Sequence, residues 1–276
     1  MSKGWKNRLA ASGIRAVRRL AHLSAGIALA TGLAFTTGCT SIPETSELSL
    51  LPATIKYDAS RPIQVDVENK GGSVEVKVNP KLERPRVTCR VVDLKTGEPS
   101  KDEKARARQW ISANLTSRAA SMLLRVVNNR GALEGTGQFI WISIEIPTCN
   151  GVRIRNSAGG VTLKDVSGPI DVANGFGSGE GGPITVNTSQ RLSDPVTLNT
   201  SEGPVILAMS GRSSGTIDLA TANGPVEMRD RTAQITNVVQ TAATWTGVLN
   251  DPSNAFKLRS GGGLVRVEIN PDRAQR

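Results

Sequence analysis

Asp171 and Asp218 are the two side chains whose type and spacing come closest to a reactive pair. Each sits between two apolar residues, in Ile170-Asp171-Val172 and Ile217-Asp218-Leu219. On an extended chain each carboxylate therefore points away from its apolar neighbours. On the outward row Arg153, Asp171, Thr197, Asp218 the two acids fall two rungs apart, roughly 9.6 Å at the spacing of paired strands. Inverting glycosidases hold their acid and base roughly 6.5–9.5 Å apart, so the chemistry open to such a pair is polysaccharide hydrolysis. Against it, a threonine intervenes and the row has no aromatic platform for a sugar. The expectation is that both are ordinary solvent-facing acids and that the protein is not an enzyme.

Other chemistries find fewer residues still. The only histidine, His22, precedes Cys39, so the part after Cys39 has no histidine-based triad and no histidine metal ligand. The glycine-rich stretch 174–182 has Glu180 as its sole acid, too few for the roughly six to eight oxygens that calcium takes. It also lacks the Lys-Ser/Thr of a phosphate loop and reads as an inserted turn. Cys89 and Cys149 either form a disulfide or remain two buried thiols, and no metal-ligand spacing surrounds them. No cofactor and no metal are expected.

The formal charge is +10, but six of the 34 basic residues precede Cys39. After Cys39, 28 basic residues face 24 acidic ones, a balance of +4 that gives no reason to expect a nucleic-acid partner. Lys3, Lys6, Arg8, Arg15, Arg18 and Arg19 form a basic stretch, followed by the apolar run 23–35 and the small residues Thr36-Thr37-Gly38. That sequence of segments describes an export signal, too short for a retained membrane span. Gly38-Cys39 resembles the lipobox of bacterial lipoproteins, with Thr36 where that family has leucine. The resemblance implies a signal peptide over 1–38, acylation of Cys39, and a membrane-anchored mature chain in the cell envelope. It points to an outer-membrane lipoprotein facing periplasm or surface.

Three regions follow. Residues 39–60 are read as lipid anchor and tether, with Leu48, Leu50 and Leu51 able to dock. Residues 61–150 are read as a small β region with one inserted α-helix. Ile63-Val65-Val67 and Val74-Val76-Val78 alternate around Gly71-Gly72, which predicts a hairpin. The helix is predicted over 101–117, from the Ser100/Glu103 capping box and the stripe Ala107, Trp110, Ile111, Leu115. Its other face carries Lys101, Lys104, Arg106 and Arg108.

Residues 151–270 are repetitive. Gly182-Pro183, Gly203-Pro204 and Gly224-Pro225 recur every 21 residues, each ahead of an alternating strand, and Gly168-Pro169 precedes them. Strand starts fall at Val152, Val161, Ile170, Ile184, Val196, Val205, Ile217 and Val226. The pattern predicts an all-β protein, a parallel β-solenoid of short Gly-ended strands, with Trp245 capping its open end. Stretches such as Val152 to Gly160 and Val161 to Gly168 resemble a bacterial family of exported repeat proteins named "putative adhesin", of unknown function. That resemblance implies the solenoid fold and carries no catalytic residues. The expected role is a non-catalytic envelope lipoprotein offering a flat face to a glycan or protein, with Thr162, Asp171, Thr185, Thr197 and Asp218 on it. The alternative is the carbohydrate-active enzyme built on the two aspartates.

Overall fold

Short runs in which valine, isoleucine or leucine alternate with polar residues dominate the chain, and among the described residues they form nineteen strands in two large sheets. The computed structural model describes residues 48–93, 108–130, 138–175, 180–231 and 235–271. The chain enters at β1 (Leu48–Ser49), then forms β2 (Ile63–Asn69), β3 (Ser73–Val78) and β4 (Arg86–Asp93). β5 (Ile111–Ser117), β6 (Met122–Asn128) and β7 (Gln138–Ile146) follow. The repeat region supplies β8 (Cys149–Asn156), β9 (Gly159–Lys164), β10 (Ile170–Asn174), β11 (Gly181–Asn187) and β12 (Val196–Thr200). It continues through β13 (Val205–Ser210), β14 (Gly215–Thr221) and β15 (Val226–Asp230). Last come β16 (Ile235–Gln240), β17 (Thr244–Leu249), β18 (Ala255–Ser260) and β19 (Val265–Asn270). All eight strand starts expected in the repeat region fall inside β8 to β15.

The nine-stranded sheet has the order β1-β4-β7-β3-β9-β11-β13-β19-β15. The ten-stranded sheet has the order β16-β17-β14-β18-β12-β10-β8-β2-β6-β5. The fold is thus all-β, with two open sheets that mix parallel and antiparallel pairing. Their interiors are parallel, whereas β1, β4, β5, β16 and β17 pair antiparallel at the ends. Alternation sends every second residue inward, and both sheets feed one hydrophobic core. In β14 the inward Ile217 and Leu219 are fully buried between half-buried neighbours.

One strand from each sheet makes a rung, and the rungs do not follow chain order. β2 lies between β6 and β8 while β3 lies between β7 and β9. At the other end, β18 lies between β12 and β14 while β19 lies between β13 and β15. The last two strands of the chain, β18 and β19, are therefore interior ones. Phe256 of β18 is fully buried in register with Val196 and Ile217.

Two columns hold the turns together. Inside the ten-stranded sheet, Asn128 donates to Asn69 (2.7 Å), Asn69 to Asn156 (2.6 Å) and Asn156 to Asn174 (2.9 Å). The same register continues as Thr200, Ser260 and Thr221, whose hydroxyls donate to the carbonyls of Gly182, Gly203 and Gly263. Those glycines stack turn on turn. A Cβ on Gly159 would stand 2.6 Å from the Gly72 carbonyl oxygen, and one on Gly263 2.2 Å from Gly203. No side chain fits between such turns, which is why the Gly-Pro pair recurs. Proline follows without penalty, since Pro204 and Pro225 need only their carbonyls, which accept from Ile184 and Val265.

Two expectations are corrected. The segment predicted as a helix is strand β5 over 111–117, preceded by a helical turn at 108–110; residues 101–107 lie outside the described residues. Ile111 and Leu115 satisfy period two as well as a helical stripe, and pairing with Asn128 and Leu124 of β6 decides between them. Trp110 closes the turn under the Arg130 guanidinium, 3.5 Å from the ring centre. Gly71-Gly72 makes no hairpin, because β2 and β3 belong to different sheets. Within the segment read as anchor and tether, the expected docking is seen: Leu48 and Leu50 pack on the core and Leu51 is buried, Leu48 and Ser49 pair with β4, and Ile55 and Tyr57 pack on the core as well.

Candidate binding face

The register separates the residues that the sequence grouped on one face. Asp171, Thr197 and Asp218 point outward from the ten-stranded sheet, whereas Thr162 and Thr185 lie side by side on the nine-stranded one. On the ten-stranded sheet the outward row reads Asp66, Arg153, Asp171, Thr197, Lys257, Asp218. Insertion of β18 puts Lys257 between Thr197 and Asp218. The two aspartates are therefore three rungs apart, roughly 14 Å, and the spacing expected of an inverting pair is not met.

Both acids are also occupied. Arg155 donates to the Asp171 carboxylate and Arg259 to that of Asp218. Arg153 meets Asp66 at 3.2 Å and Arg125 meets Glu68 at 3.1 Å on the same face. The row is a ladder of opposite charges across neighbouring strands.

The nine-stranded sheet presents a different surface. One outward row runs Thr88, Ser143, Glu75, Thr162, Thr185 across five adjacent strands. Beside it, Trp141 of β7 stands in register between Arg90 and Ser73. Its indole is 47% exposed, while Trp245 is buried to 4%. Trp141, Arg90, Glu75, Thr88 and Ser143 enclose a shallow depression of about 150 Å³. Lys164 fixes the Glu75 carboxylate from the next strand at 2.7 Å. The sequence analysis gave Trp141 no role. Its parity in Phe139-Ile140-Trp141-Ile142-Ser143-Ile144 already set it opposite three isoleucines, and that was the available signal.

The two cysteines are free thiols in different sheets. Cys89 is buried on β4, and burial pushes its thiol up to about 11, opposed only by the charge of Arg108. Burial also raises Cys149, whose thiol donates to the carbonyls of Ser167 (3.4 Å) and Gly151 (3.8 Å). Neither is poised as a nucleophile. Cys39 lies outside the described residues. Among the described residues, no helix is long and apolar enough to cross a membrane.

No protein-family model matches the chain, and no curated protein matches it. Among solved structures it is similar to a "putative cell adhesion protein" from Clostridium sporogenes ATCC 15579. That alignment has 8% identity over 82% of this chain and 99% of the other, with a TM-score of 0.41. It is also similar to a "putative adhesin" from Bacteroides fragilis NCTC 9343, at 10% identity over 82% and 98% of the two chains and a TM-score of 0.30.

Proposed function

We propose that this chain is a non-catalytic lipoprotein of the bacterial cell envelope, displaying a β-solenoid of seven rungs as a binding surface for an envelope glycan. The observation that carries the reading is Trp141, a large aromatic held outward on a flat polar sheet. Its indole offers the apolar face on which a sugar ring can stack, and the Thr162–Thr185 row beside it offers hydroxyls. Export and anchoring rest on the resemblance at Gly38-Cys39. Acylation of Cys39 by palmitate-type chains would tether the body through the eight residues that separate Cys39 from β1.

The solenoid reading rests on the parallel interior rungs and their stacked glycine turns, with antiparallel strands as end caps. The enzyme alternative loses its geometric basis with the wider Asp171–Asp218 separation. It predicts that Asp171→Asn with Asp218→Asn abolishes release of reducing ends from polysaccharide; the binding reading predicts no such release from either form.

Two measurements test the proposal. Intact mass and membrane partition of the chain from a lipoprotein-processing bacterium should show acyl mass on a product beginning at Cys39, absent in Cys39→Ala. Titration with envelope polysaccharide fragments should give saturable binding that Trp141→Ala weakens by about tenfold, the scale of one lost aromatic contact. A soluble product without acyl mass sinks the anchor, and binding indifferent to Trp141→Ala sinks the face.

A further inference from the structure

The geometry points to a strand-acceptor site at the β15 end of the molecule, which takes a single extended peptide segment of a partner by addition to the edge of the nine-stranded sheet. The two sheets end unequally there. The ten-stranded sheet continues past β14 with β17 and β16, while the nine-stranded sheet stops at β15. The overhang is two strands, roughly 9.6 Å.

β17 packs its inner side against β15, burying Trp245 and Leu249, so what β15 leaves uncovered is β16, exposed along most of its length. Val226 and Met228 of β15, Ile235 and Val238 of β16 and Trp245 of β17 line a groove of about 520 Å³. In the interior rung the equivalents of Val226 and Met228 are Val205 and Leu207, both fully buried. Here Val226 and Met228 are only half-buried, and Val238 is 52% exposed. The apolar pattern of the repeat thus runs one strand further than the chain that covers it.

The edge has defined hydrogen-bonding parity. Pro225 accepts from Val265, and Arg231 donates to Ile269. The odd-numbered residues of β15 accordingly aim their backbone groups at β19, and Val226 and Met228 aim theirs outward. Among the described residues, no partner meets these outward groups. An incoming strand pairs with them and lays its own inward side chains on the groove.

Outward side chains set orientation. Glu227 and Arg229 stand two apart on the exposed face of β15, tied to Arg266 and Glu268 of β19. The fitting segment has apolar residues at alternate positions. It places a base opposite Glu227 and an acid opposite Arg229. The overhang excludes the edge of a second copy, because two such molecules brought together at β15 would drive β16 and β17 into each other. A lone segment meets no such obstacle.

The strand's own sequence is a suitable probe. In an antiparallel pair centred on Met228, a peptide of residues 224–231 sets its glutamate against Arg229 and its arginine against Glu227. Fluorescence anisotropy of that labelled peptide, added to the full chain carrying Cys39→Ala, should show saturable binding. A peptide with glutamate and arginine exchanged places like charges across both positions and should bind about tenfold more weakly. Met228→Pro removes the outward N–H while leaving the β19 ladder intact, so binding should be lost while the melting temperature falls by no more than about 2–4 °C, which is what loss of the side chain costs in Met228→Ala. No saturation up to millimolar peptide, equal affinity for both peptides, or full binding to Met228→Pro would each overturn the site. Trp141→Ala should leave it untouched, which separates this site from the glycan face.

Discussion

The two ends of the molecule solve the same problem with different completeness. At the end where the chain enters, both sheets are finished by antiparallel strands, β4 and β1 on one and β5 on the other. At the far end only the ten-stranded sheet is finished, by β17 and β16, and β15 is left as a bare parallel edge. A sheet edge is a template for further pairing unless something covers it. The difference assigns protection to the end where the chain enters and receptivity to the opposite end. Edge strand β16 is itself blunted: its register slips between Thr236 and Val239, with Asn237 at a φ of 54°. β15 has no such irregularity.

What the ends share is interlacing. The outermost parallel rung at each end, β6–β7 or β14–β15, is locked on by a rung from the nearer part of the chain terminus, β2–β3 or β18–β19. If that lock matters, its loss should exceed any loss at the bare edge. Phe256→Ala empties a fully buried site between β12 and β14 and should cost about 3–5 kcal/mol. Met228→Ala, half-buried at the open end, should cost about 1 kcal/mol, since its site is already partly wet. Urea midpoints of the two variants measure the contrast; equal shifts would mean that the far rung adds nothing by being locked.

A second contrast runs along the polar column. Its half nearer the entry is asparagine joined to asparagine, and its far half is threonine and serine bonded to glycine carbonyls. Asn156→Ala removes one of the two acceptors of the buried Asn69 amide, whose other is the Gly72 carbonyl, together with the donor to Asn174, and should cost about 2–3 kcal/mol. Thr200→Ala loses a hydroxyl that serves the Gly182 carbonyl and should cost about 1 kcal/mol. Thermal unfolding of both variants ranks the two halves.

How much of this was readable beforehand depends on range. The strands of the repeat were legible because period two and Gly-Pro spacing are local, and each start from Val152 to Val226 falls within a strand. The order of the rungs was not legible. Nothing within Ala255-Phe256-Lys257-Leu258 says that it pairs with Val196 on one side and Ile217 on the other. That one long-range insertion moved Asp218 a rung further from Asp171 and removed the hydrolase spacing. Likewise Ile111 and Leu115 fit two periods, and the partner strand, invisible locally, chose between them. Thr162 and Thr185 stand side by side because their rungs are adjacent in both chain pattern and space.

The thiols probe the entry end against the interior. Cys89 lies on the cap strand β4 in register with Leu48 of β1, whereas Cys149 begins the interior strand β8. With both thiols raised by burial, alkylation at pH 8 should be at least about a hundredfold slower in the native chain than in denaturant. Fraying of β1 would release Cys89 first. Mass spectrometry without reductant should find both modified after unfolding, and protection that persists until reductant is added would restore the disulfide.

The smallest expected effect concerns acid. Hydrogen bonding from Arg266, then the charges of Arg266 and Arg229, hold Glu227 at the open end below the usual glutamate value of 4.5. At the entry end the Ser60 hydroxyl and backbone hold Asp58 below the usual aspartate value of 3.8. A carboxyl group depressed by folding adds stability that is present above its unfolded value and lost as pH falls through its folded value. Because the unfolded glutamate value is the higher of the two, loss begins at higher pH for Glu227 than for Asp58. Both are solvent-exposed, so the effect is local loosening rather than unfolding. Hydrogen exchange, corrected for intrinsic rate, should show protection at Val265 falling from about pH 4.5, ahead of Arg61, whose amide donates to the Asp58 carbonyl. Glu227→Gln should make the Val265 profile flat. If both ends lose protection together, the acid response belongs to the whole fold and the open end is no looser than the closed one.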